Sequence, residues 1–194
     1  MNERLEPIIG VEIVAGDIRL GHTFYEIEVL ENFIQEQKQN IFIEIGVHEG
    51  GMSYLLIPKL PQVYYVGIEL HCDLIRPIVK AMYEQVSHAQ LLCMDCFSDL
   101  VHSYLYDLKG KIVYCDGGSK AKEILHFKDT LHSGDVIMCH DFYDGKRQVR
   151  GVPKENISVE VTPNDTELFD FDVEFERIPE DIFKETRIVG WRKL

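Results

Sequence analysis

The feature that most constrains the fold is a regular alternation of short apolar runs with longer, more polar stretches. Five such runs recur along the middle of the chain, and they read IFIEIGV, YYVGIEL, QLLCMDC, KIVYCD and DVIMCHDF. The stretches between them, such as DLIRPIVKAMYEQV and SKAKEILHFKDTL, are long enough for helices. Nearly continuous apolar strands joined by helices are typical of a parallel sheet covered on both faces. The pattern therefore predicts a doubly wound α/β domain with a mostly parallel sheet.

The two ends of the chain carry different patterns. HTFYEIEVLENFIQEQK has apolar residues at helical spacing, and Thr23 with Glu26 matches a capping box, so we expect an amphipathic helix ahead of the first run. In FDFDVEFE, residues 169–176, apolar and acidic residues alternate, which predicts a half-buried strand with a solvated acidic face. The final segment, ETRIVGWRKL, is predicted to pair with that strand as an antiparallel hairpin at one edge of the sheet.

Composition limits the classes of partner. The net charge of -13 argues against a nucleic-acid partner, because phosphate binding needs a concentrated Lys/Arg surface. No apolar run approaches the roughly 20 residues of a membrane span, and the start MNERLEPIIG lacks the basic-then-apolar order of a signal peptide. We therefore expect a cytoplasmic protein without a membrane partner. Exposed aromatic residues near either terminus could support a homodimer.

The cysteines are expected to be reduced thiols. The count of five is odd, and four of them lie in or at the end of apolar runs, where Cys acts as a small hydrophobic residue. The spacing of CMDC, residues 93–96, is that of a C-x-x-C motif, but the chain has no second pair to complete a zinc site. The predicted helix begins only after Cys96, so a helix N-terminus would not activate these thiols.

The first apolar run ends in a glycine-containing turn, FIEIGVHEGGMS. In an open parallel sheet, ligands bind beyond the carboxyl ends of the strands, near the turn between the first strand and its helix. A dinucleotide site requires G-x-G-x-x-G, but His48 stands at the middle-glycine position and would crowd a pyrophosphate. The E-x-G-x-x-x-G spacing of Glu44, Gly46 and Gly50 suits S-adenosylmethionine, which carries a sulfonium and an amino-acid end but no phosphate.

Acids also close the second and third runs. Glu69 is placed to accept hydrogen bonds from both ribose hydroxyls of an adenosine, and Asp95 is placed to contact the adenine amino group. Glu69 alone does not separate methyl-donor enzymes from nicotinamide enzymes, since both use such an acid. The predicted cofactor-binding set consists of Glu44, Gly46, His48, Gly50, Ser53, Glu69, Asp95, Cys96 and Asp116.

The motifs of these apolar runs resemble those of a known family. EIGVHEGG, YVGIEL, MDC and KIVYCDGG are similar to motifs of class I S-adenosylmethionine-dependent methyltransferases, over roughly residues 40–142. Within that class, DGG followed by a helix and LHSGDVIMCHDF is most similar to the cephalosporin hydroxylase-like and macrolide-sugar O-methyltransferase group. The resemblance implies a Rossmann-like methyltransferase fold, S-adenosylmethionine as the methyl donor, and a small hydroxylated, sugar-like acceptor. It also implies a magnesium ion held at the positions of Asp116, His140 and Asp141, although the group has an acid where this chain has His140.

The candidate chemical site follows from the fourth and fifth runs. Asp116 and the pair His140 and Asp141 end neighbouring strands, so a doubly wound sheet would set them side by side beyond the cofactor. In the group that the chain resembles, a D-G-x-H pattern supplies a histidine where this chain has Ser119. Lys120 or His140 could serve as the base instead, but Lys120 could also face water and His140 could be a core histidine. The predicted catalytic set is Asp116, His140, Asp141 and Lys120.

The sequence therefore predicts O-methylation of a small hydroxylated substrate, with Asp116 and Asp141 holding metal or substrate. Two alternatives stay open, namely a methyltransferase-like binding or assembly protein without activity and a nicotinamide-dependent oxidoreductase with a degenerate glycine turn. We expect a single domain over residues 1–194, divided into an N-terminal segment and helix (1–39), a cofactor-binding core (40–142), and a substrate loop with the C-terminal hairpin (143–194).

Overall fold

The computed structural model describes residues 12–14, 18–157, 159–170 and 173–194. Strands and helices alternate through the middle of this chain, as the run pattern predicted. In chain order the elements are β1 (Glu12–Val14), β2 (Ile18–Leu20), α1 (Phe24–Glu36), β3 (Ile41–Ile45), α2 (Gly51–Leu56), β4 (Tyr64–Glu69), α3 (Pro77–Gln85), β5 (Ala89–Cys93), α4 (Asp99–Asp107), β6 (Lys111–Cys115), α5 (Lys120–Phe127), β7 (Val136–Cys139), α6 (Pro163–Asp170), β8 (Phe175–Arg177) and β9 (Val189–Lys193).

Seven strands form one sheet in the order β5-β4-β3-β6-β7-β9-β8. The five neighbouring strands from β5 to β7 are parallel, whereas β9 is antiparallel to both β7 and β8. This arrangement confirms the α/β class, the doubly wound sheet and the antiparallel hairpin at its edge. The chain moves outward from β3 to β5 and then returns to place β6 on the other side of β3, so the switch in strand order lies between β3 and β6. A crevice opens at the carboxyl ends of strands at such a switch.

The sheet is covered on both faces because successive strand residues point to opposite sides. Phe42 and Tyr114 belong to a buried cluster that includes residues of α1, α2 and α3. A second buried cluster contains Ile43, which follows Phe42 on β3, and Val113, which precedes Tyr114 on β6. It also contains residues of α4 and α5 and Trp191. The continuous apolar runs of the sequence therefore correspond to strands buried from both sides.

Helix α1 begins where the capping box predicted. The Thr23 hydroxyl accepts a hydrogen bond from the backbone N–H of Glu26 at 3.1 Å, and the Glu26 carboxylate accepts one from the backbone N–H of Thr23 at 2.9 Å. The helix packs Ile27, Leu30 and Phe33 into the core. These contacts fix the segment that leads into β3, and they also hold the Glu26 carboxylate in place.

The strand predicted over residues 169–176 is wrong for most of its length. Phe169 lies in the last turn of α6 and strand β8 begins only at Phe175, while residues 171 and 172 lie outside the described part of the chain. Phe169 stacks on Trp191 with ring centroids 5.0 Å apart and meets Phe175 edge-on at 4.9 Å. Val173 shares the parity of these rings but is 89% exposed. Packing against Trp191 therefore outweighed the alternating pattern.

The start of α6 carries a signal that the alternating pattern obscured. Thr162 precedes Pro163, a residue favoured in the first turn of a helix, and Asp165 follows at the third helical position. The Asp165 carboxylate accepts hydrogen bonds from the Thr162 N–H at 2.8 Å and from its hydroxyl at 2.6 Å. The sequence T-P-N-D therefore marks the start of a helix, and that helix extends into the predicted strand.

The expectation of five reduced cysteines is also wrong. Cys72 and Cys93 form a disulfide with a Cα–Cα distance of 5.7 Å, whereas Cys96, Cys115 and Cys139 are free. The pairing follows from the sheet, because Cys93 at the end of β5 lies opposite Glu69 at the end of β4, three residues before Cys72. Within the described residues, none of the helices has the length and apolar character needed to cross a membrane.

Candidate active site

A cavity of about 730 Å³ opens at the carboxyl ends of β3, β4, β6 and β7, where the strand order switches. One end of it is walled by the turns that follow β3, β4 and β5, and we call this the cofactor end. The other end is walled by the turns after β6 and β7 and by the residues between β2 and α1, and we call this the acceptor end. Most of the residues singled out from the sequence lie on these walls.

The glycine turn after β3 shapes the cofactor end through close backbone contact. Gly46 has a φ of +87°, and a Cβ added there would lie 2.5 Å from the Cα of Gly117 in the turn after β6. His48 also has a positive φ and lines the cavity. Gly50 has a φ of +91° but packs against Val79, where a Cβ would meet the side chain at 2.6 Å. Gly50 therefore shapes the turn, whereas Gly46 and His48 face the cavity.

The Glu69 carboxylate is fixed at the end of β4. Its Oε2 accepts a hydrogen bond from the backbone N–H of His48 at 2.8 Å, and its Oε1 accepts one from the backbone N–H of His71 at 2.7 Å. Each oxygen keeps a second lone pair for a ligand in the cavity. Because both oxygens are held by backbone groups, the carboxylate is oriented before any ligand arrives.

The turn after β5 supplies the adjoining wall. Asp95 Oδ1 accepts a hydrogen bond from the backbone N–H of Phe97 at 2.9 Å, and Cys96 and Phe97 line the cavity beside it. Burial, together with the carboxylates of Glu123 and Asp95, raises the pKa of the Cys96 thiol to about 12, so this cysteine is not a thiolate nucleophile at neutral pH. The structure therefore places Asp95 and Cys96 on the cavity wall.

Glu44 and Ser53 form a buried pair behind the turn. The Ser53 hydroxyl donates to Glu44 Oε2 at 2.5 Å, and the Tyr65 hydroxyl donates to the same oxygen at 2.8 Å. Burial raises the pKa of Glu44 to about 8 despite these hydrogen bonds, so the carboxyl is largely protonated at neutral pH. Glu44 reaches the cavity wall, whereas Ser53 is fully buried and supports Glu44.

At the acceptor end, Asp116, His140 and Asp141 come together as predicted. His140 Nδ1 lies 3.2 Å from Asp116 Oδ1 and 3.4 Å from Asp141 Oδ1. Asp141 has a φ of +56°, an uncommon conformation for a residue other than glycine. Burial disfavours the charge on His140, but the carboxylates of Asp116 and Glu26 outweigh it and raise the pKa of His140 to about 9. Burial disfavours the charge on Asp116, but the imidazoles of His22 and His140 outweigh it and hold the pKa of Asp116 below its ordinary value.

His22 is a site residue that the sequence reasoning missed. Its Nε2 lies 3.3 Å from Asp116 Oδ2 and 3.0 Å from the Tyr114 hydroxyl, and its ring stacks on His140 with centroids 4.0 Å apart. Burial and the neighbouring His140 lower the pKa of His22 to about 4. The two stacked rings therefore differ in charge at neutral pH, with His140 protonated and His22 neutral.

Glu26 and Arg187 form a second missed contact. The Arg187 guanidinium donates to Glu26 Oε1 at 3.0 Å and to Oε2 at 2.8 Å, and its NH1 donates to Asp141 Oδ1 at 2.9 Å. His140 Nε2 lies 3.5 Å from Glu26 Oε1, at the outer limit of a hydrogen bond. The capping box had indicated where Glu26 sits, but no local signal indicated that Glu26 would also pair with an arginine near the C-terminus.

Lys120 is buried, so the reading in which it faces water is wrong. Its ammonium lies 3.2 Å from Asp141 Oδ2, 3.6 Å from Asp116 Oδ1 and 3.0 Å from Glu160 Oε2. Burial opposes the charge, but these carboxylates raise the pKa of Lys120 above its ordinary value. The group is therefore a permanent cation at neutral pH rather than a base.

The residues expected to hold magnesium are already in contact with other charged groups. Magnesium prefers an octahedron of oxygen ligands at about 2.0–2.1 Å, whereas His140 offers a nitrogen and both acids are already in contact with the Lys120 ammonium. His22, Asp116 and His140 also lie close enough to be considered as ligands. However, the lone pair of an imidazole lies in the plane of its ring, and two stacked rings do not aim their lone pairs at one point about 2 Å away. The donor set does not fit magnesium.

Comparison with known proteins identifies the fold. The chain is similar to CmcI in an apo structure (14% identity, 94% of this chain and 76% of CmcI, TM-score 0.65) and to a Staphylococcus aureus protein described as a caffeoyl-CoA O-methyltransferase (12% identity, 94% and 86%, TM-score 0.62). It is also similar to the O-methyltransferase TomG of Streptomyces achromogenes, solved with S-adenosylmethionine (12% identity, 92% and 82%, TM-score 0.61). A second CmcI structure contains Mg and S-adenosylmethionine (18% identity, 66% and 57%, TM-score 0.52).

These likenesses show that the chain has the fold of S-adenosylmethionine-dependent O-methyltransferases, which confirms the fold expected from its motifs. No protein-family model matches the sequence, and no curated protein sequence matches it.

Proposed function

We propose that the protein transfers a methyl group from S-adenosylmethionine to a hydroxyl oxygen of a small, sugar-like molecule. The observation that carries the proposal is the cavity itself, which joins an oriented carboxylate at the end of β4 to a buried cluster of charges at the ends of β6 and β7. Such a cavity has a place for an adenosine at one end and for an acceptor at the other. The O-methyltransferases of the same fold support this choice of reaction.

The cofactor end suits an adenosine that carries no phosphate. The free lone pairs of Glu69 can accept hydrogen bonds from the ribose hydroxyls, and Asp95 can accept one from the adenine amino group. The approach of the Gly46 turn to Gly117 leaves no room for a side chain there, and His48 stands where a pyrophosphate would need a glycine. These contacts favour S-adenosylmethionine over a nicotinamide dinucleotide.

Methyl transfer from a sulfonium depends mainly on alignment of the acceptor oxygen with the methyl carbon, which can contribute about 7–11 kcal/mol. Lys120 and His140, the bases considered from the sequence, both hold their protons at neutral pH because acids surround them. Asp116 is ionised and faces the cavity, so it is the group that orients the acceptor by accepting its hydroxyl hydrogen bond. As the bond from the acceptor oxygen to the methyl carbon forms and the bond from that carbon to sulfur breaks, S-adenosylhomocysteine leaves and the hydroxyl proton passes to the Asp116 carboxylate.

Isothermal titration calorimetry and a radiolabelled methyl-transfer assay test this proposal. We expect the wild type to bind S-adenosylmethionine and S-adenosylhomocysteine, and to methylate at least one member of a panel of hydroxylated sugars and phenols. Asp116→Asn should lower kcat by about 1,000-fold while changing the cofactor Kd by less than about threefold, because Asp116 contacts the acceptor. Asp107→Asn, an exposed acid on α4, is the matched control and should change neither value. Full activity of Asp116→Asn would refute the assignment.

A binding or assembly protein without activity is the second candidate. It is favoured by Ser119, which stands where the similar group often has a histidine, and by the pairing of both candidate bases with acids. Cofactor binding without turnover of any acceptor would support it. Tight binding of reduced nicotinamide cofactor, with no binding of S-adenosylmethionine, would instead support the oxidoreductase reading.

A further inference from the structure

The geometry points to Lys120 as a built-in cation that occupies the space between Asp116 and Asp141, so that methyl transfer by this chain needs no divalent ion. The inference deepens the proposed function and rests on it. It concerns the two acids that, by resemblance, would be expected to bind magnesium.

The surroundings of the Lys120 ammonium are those of a hard cation. Its Nζ donates to Gly117 O at 3.0 Å and to Glu160 Oε2 at 3.0 Å, and it lies 3.2 Å from Asp141 Oδ2 and 3.6 Å from Asp116 Oδ1. Three carboxylates and one carbonyl therefore surround it. Oxygen ligands of this kind are what magnesium and calcium select, but the distances here are those of an ammonium rather than of a metal ion.

The backbone fixes this cluster of oxygens from two directions. Lys120 is the first residue of α5, directly after the turn that contains Gly117. On the other side, the carbonyl of Asp141 accepts hydrogen bonds from the N–H groups of Glu160 and Val161, at 3.1 and 3.2 Å. These hydrogen bonds hold residues 160 and 161 against Asp141, and the Glu160 carboxylate therefore lies beside the Lys120 ammonium. The Lys120 side chain is therefore buried and held in place by these oxygens, unlike a flexible lysine on the protein surface.

Neither acid keeps a carboxylate oxygen without a partner. Asp141 Oδ1 accepts from Arg187, while its Oδ2 faces Lys120. Asp116 Oδ1 faces His140 and Lys120, while its Oδ2 faces His22. A divalent ion placed between the acids would stand beside the positive charges of Lys120 and Arg187, and like charges at such distances repel strongly in a buried site.

Lys120 acts through its neighbours, because its ammonium lies behind Asp116 and Asp141 and is not part of the cavity wall. It is a positioning residue that holds both carboxylates in place and balances their charge. Asp116 can then face the acceptor hydroxyl in a fixed orientation. In a metal-dependent site, this balance would come from the ion instead.

The wild-type protein gives the first test. Manganese(II) is the probe, because its electron paramagnetic resonance signal reports binding without any need for activity. We expect no stoichiometric manganese binding, and methyl transfer that is unchanged by dialysis against EDTA. One manganese bound per chain, or activity lost to EDTA and restored by magnesium, would overturn the inference. Cofactor binding, measured on the same sample, separates this result from a failure of the proposed function.

Removal of the ammonium gives the second test. Lys120→Ala leaves three carboxylates and a carbonyl around an empty volume, so we expect manganese to bind at least about tenfold more tightly than to the wild type. Its kcat should fall with little change in cofactor Kd, and magnesium should restore part of it. Lys120→Met keeps the side-chain volume if the alanine variant is unstable. Lys122→Ala, at an exposed position on the same helix, should resemble the wild type in every assay. A loss of kcat in Lys120→Ala without a gain in manganese binding would contradict the inference.

Discussion

The two ends of the cavity are built in different ways. At the cofactor end, the polar contacts join residues that are close in sequence, such as Glu69 with His71 two residues away and with His48 21 residues away. At the acceptor end, His22 meets Tyr114 across 92 residues, and Glu26 meets Arg187 across 161. Short-range contacts leave a motif in the sequence, whereas long-range contacts exist only in the folded chain. The acceptor end should therefore be the part that is most damaged by single substitutions.

The largest effect is expected for Arg187→Met. Arg187 donates to both oxygens of Glu26 and to Asp141, and the Glu26 side chain is fully buried. Removal of one partner of a buried pair leaves a charge without compensation, so the free energy of unfolding should fall by about 3–5 kcal/mol. Urea unfolding measures the change. Addition of Glu26→Gln should recover part of the loss, because the unpaired charge is then removed. A loss below about 1 kcal/mol for Arg187→Met would show that the acceptor end is not held by this network.

The sequence predicted the cofactor end more completely than the acceptor end, and particular residues show why. Gly46, His48, Glu69, Asp95 and Cys96 were assigned from strand ends and spacing, and all lie on the cavity wall. Such positions follow from strand order alone, because a parallel sheet brings its carboxyl ends together.

At the acceptor end the residues after β6 and β7 were predicted for the same reason, but three partners were not. His22, Glu160 and Arg187 come from loops and from the segment before β9, and their positions depend on tertiary packing that no local pattern encodes. The helix at residues 163–170 was missed for a different reason, because the alternating pattern over residues 169–176 obscured the helix-start signal in T-P-N-D. Its Phe169 is held by Trp191, more than 20 residues later in the chain.

The second prediction concerns the pH dependence of stability at the cofactor end. Burial raises the pKa of Glu44 to about 8, above the value of an unfolded glutamic acid. The folded state therefore favours the neutral carboxyl, and this stabilisation is complete below the unfolded pKa and is lost as pH rises through the folded pKa. Between about pH 5 and pH 8, the wild type should lose about 3 kcal/mol relative to Glu44→Gln, which has no proton to lose.

Urea unfolding of both proteins across that pH range measures the difference. Glu28→Gln, at an exposed position on α1, is the control and should follow the wild type at every pH. A constant difference between the wild type and Glu44→Gln would mean that Glu44 is ionised in the folded protein throughout this range. In that case the hydrogen bonds from Ser53 and Tyr65 would stabilise the Glu44 carboxylate against the effect of burial.

The third prediction tests the point where the two ends touch. In Gly46→Ala, the new Cβ would lie 2.5 Å from Gly117 Cα, at a φ of +87° that side chains rarely adopt. We expect a loss of about 2–3 kcal/mol in the free energy of unfolding, together with a loss of S-adenosylmethionine binding. Gly118→Ala is the matched control for stability, because a Cβ there meets nothing within 4 Å. Equal stability of the two variants would mean that the turns after β3 and β6 are not held against each other.

The smallest effect is expected for Ser98→Ala, at the N-terminus of α4. The Ser98 hydroxyl accepts a hydrogen bond from the backbone N–H of Val101 at 3.4 Å and donates to Asp95 O at 2.7 Å. Loss of this cap should cost about 1 kcal/mol in urea unfolding, and cofactor affinity should change by less than about twofold, because the backbone N–H of Phe97 still holds the Asp95 carboxylate. Ser103→Ala, at an exposed position on the same helix, should be neutral or slightly stabilising, since alanine is the better helix former. If Ser98→Ala destabilised the protein as much as Arg187→Met, local contacts at the cofactor end would matter as much as the long-range network, and the proposed difference between the two ends would be wrong.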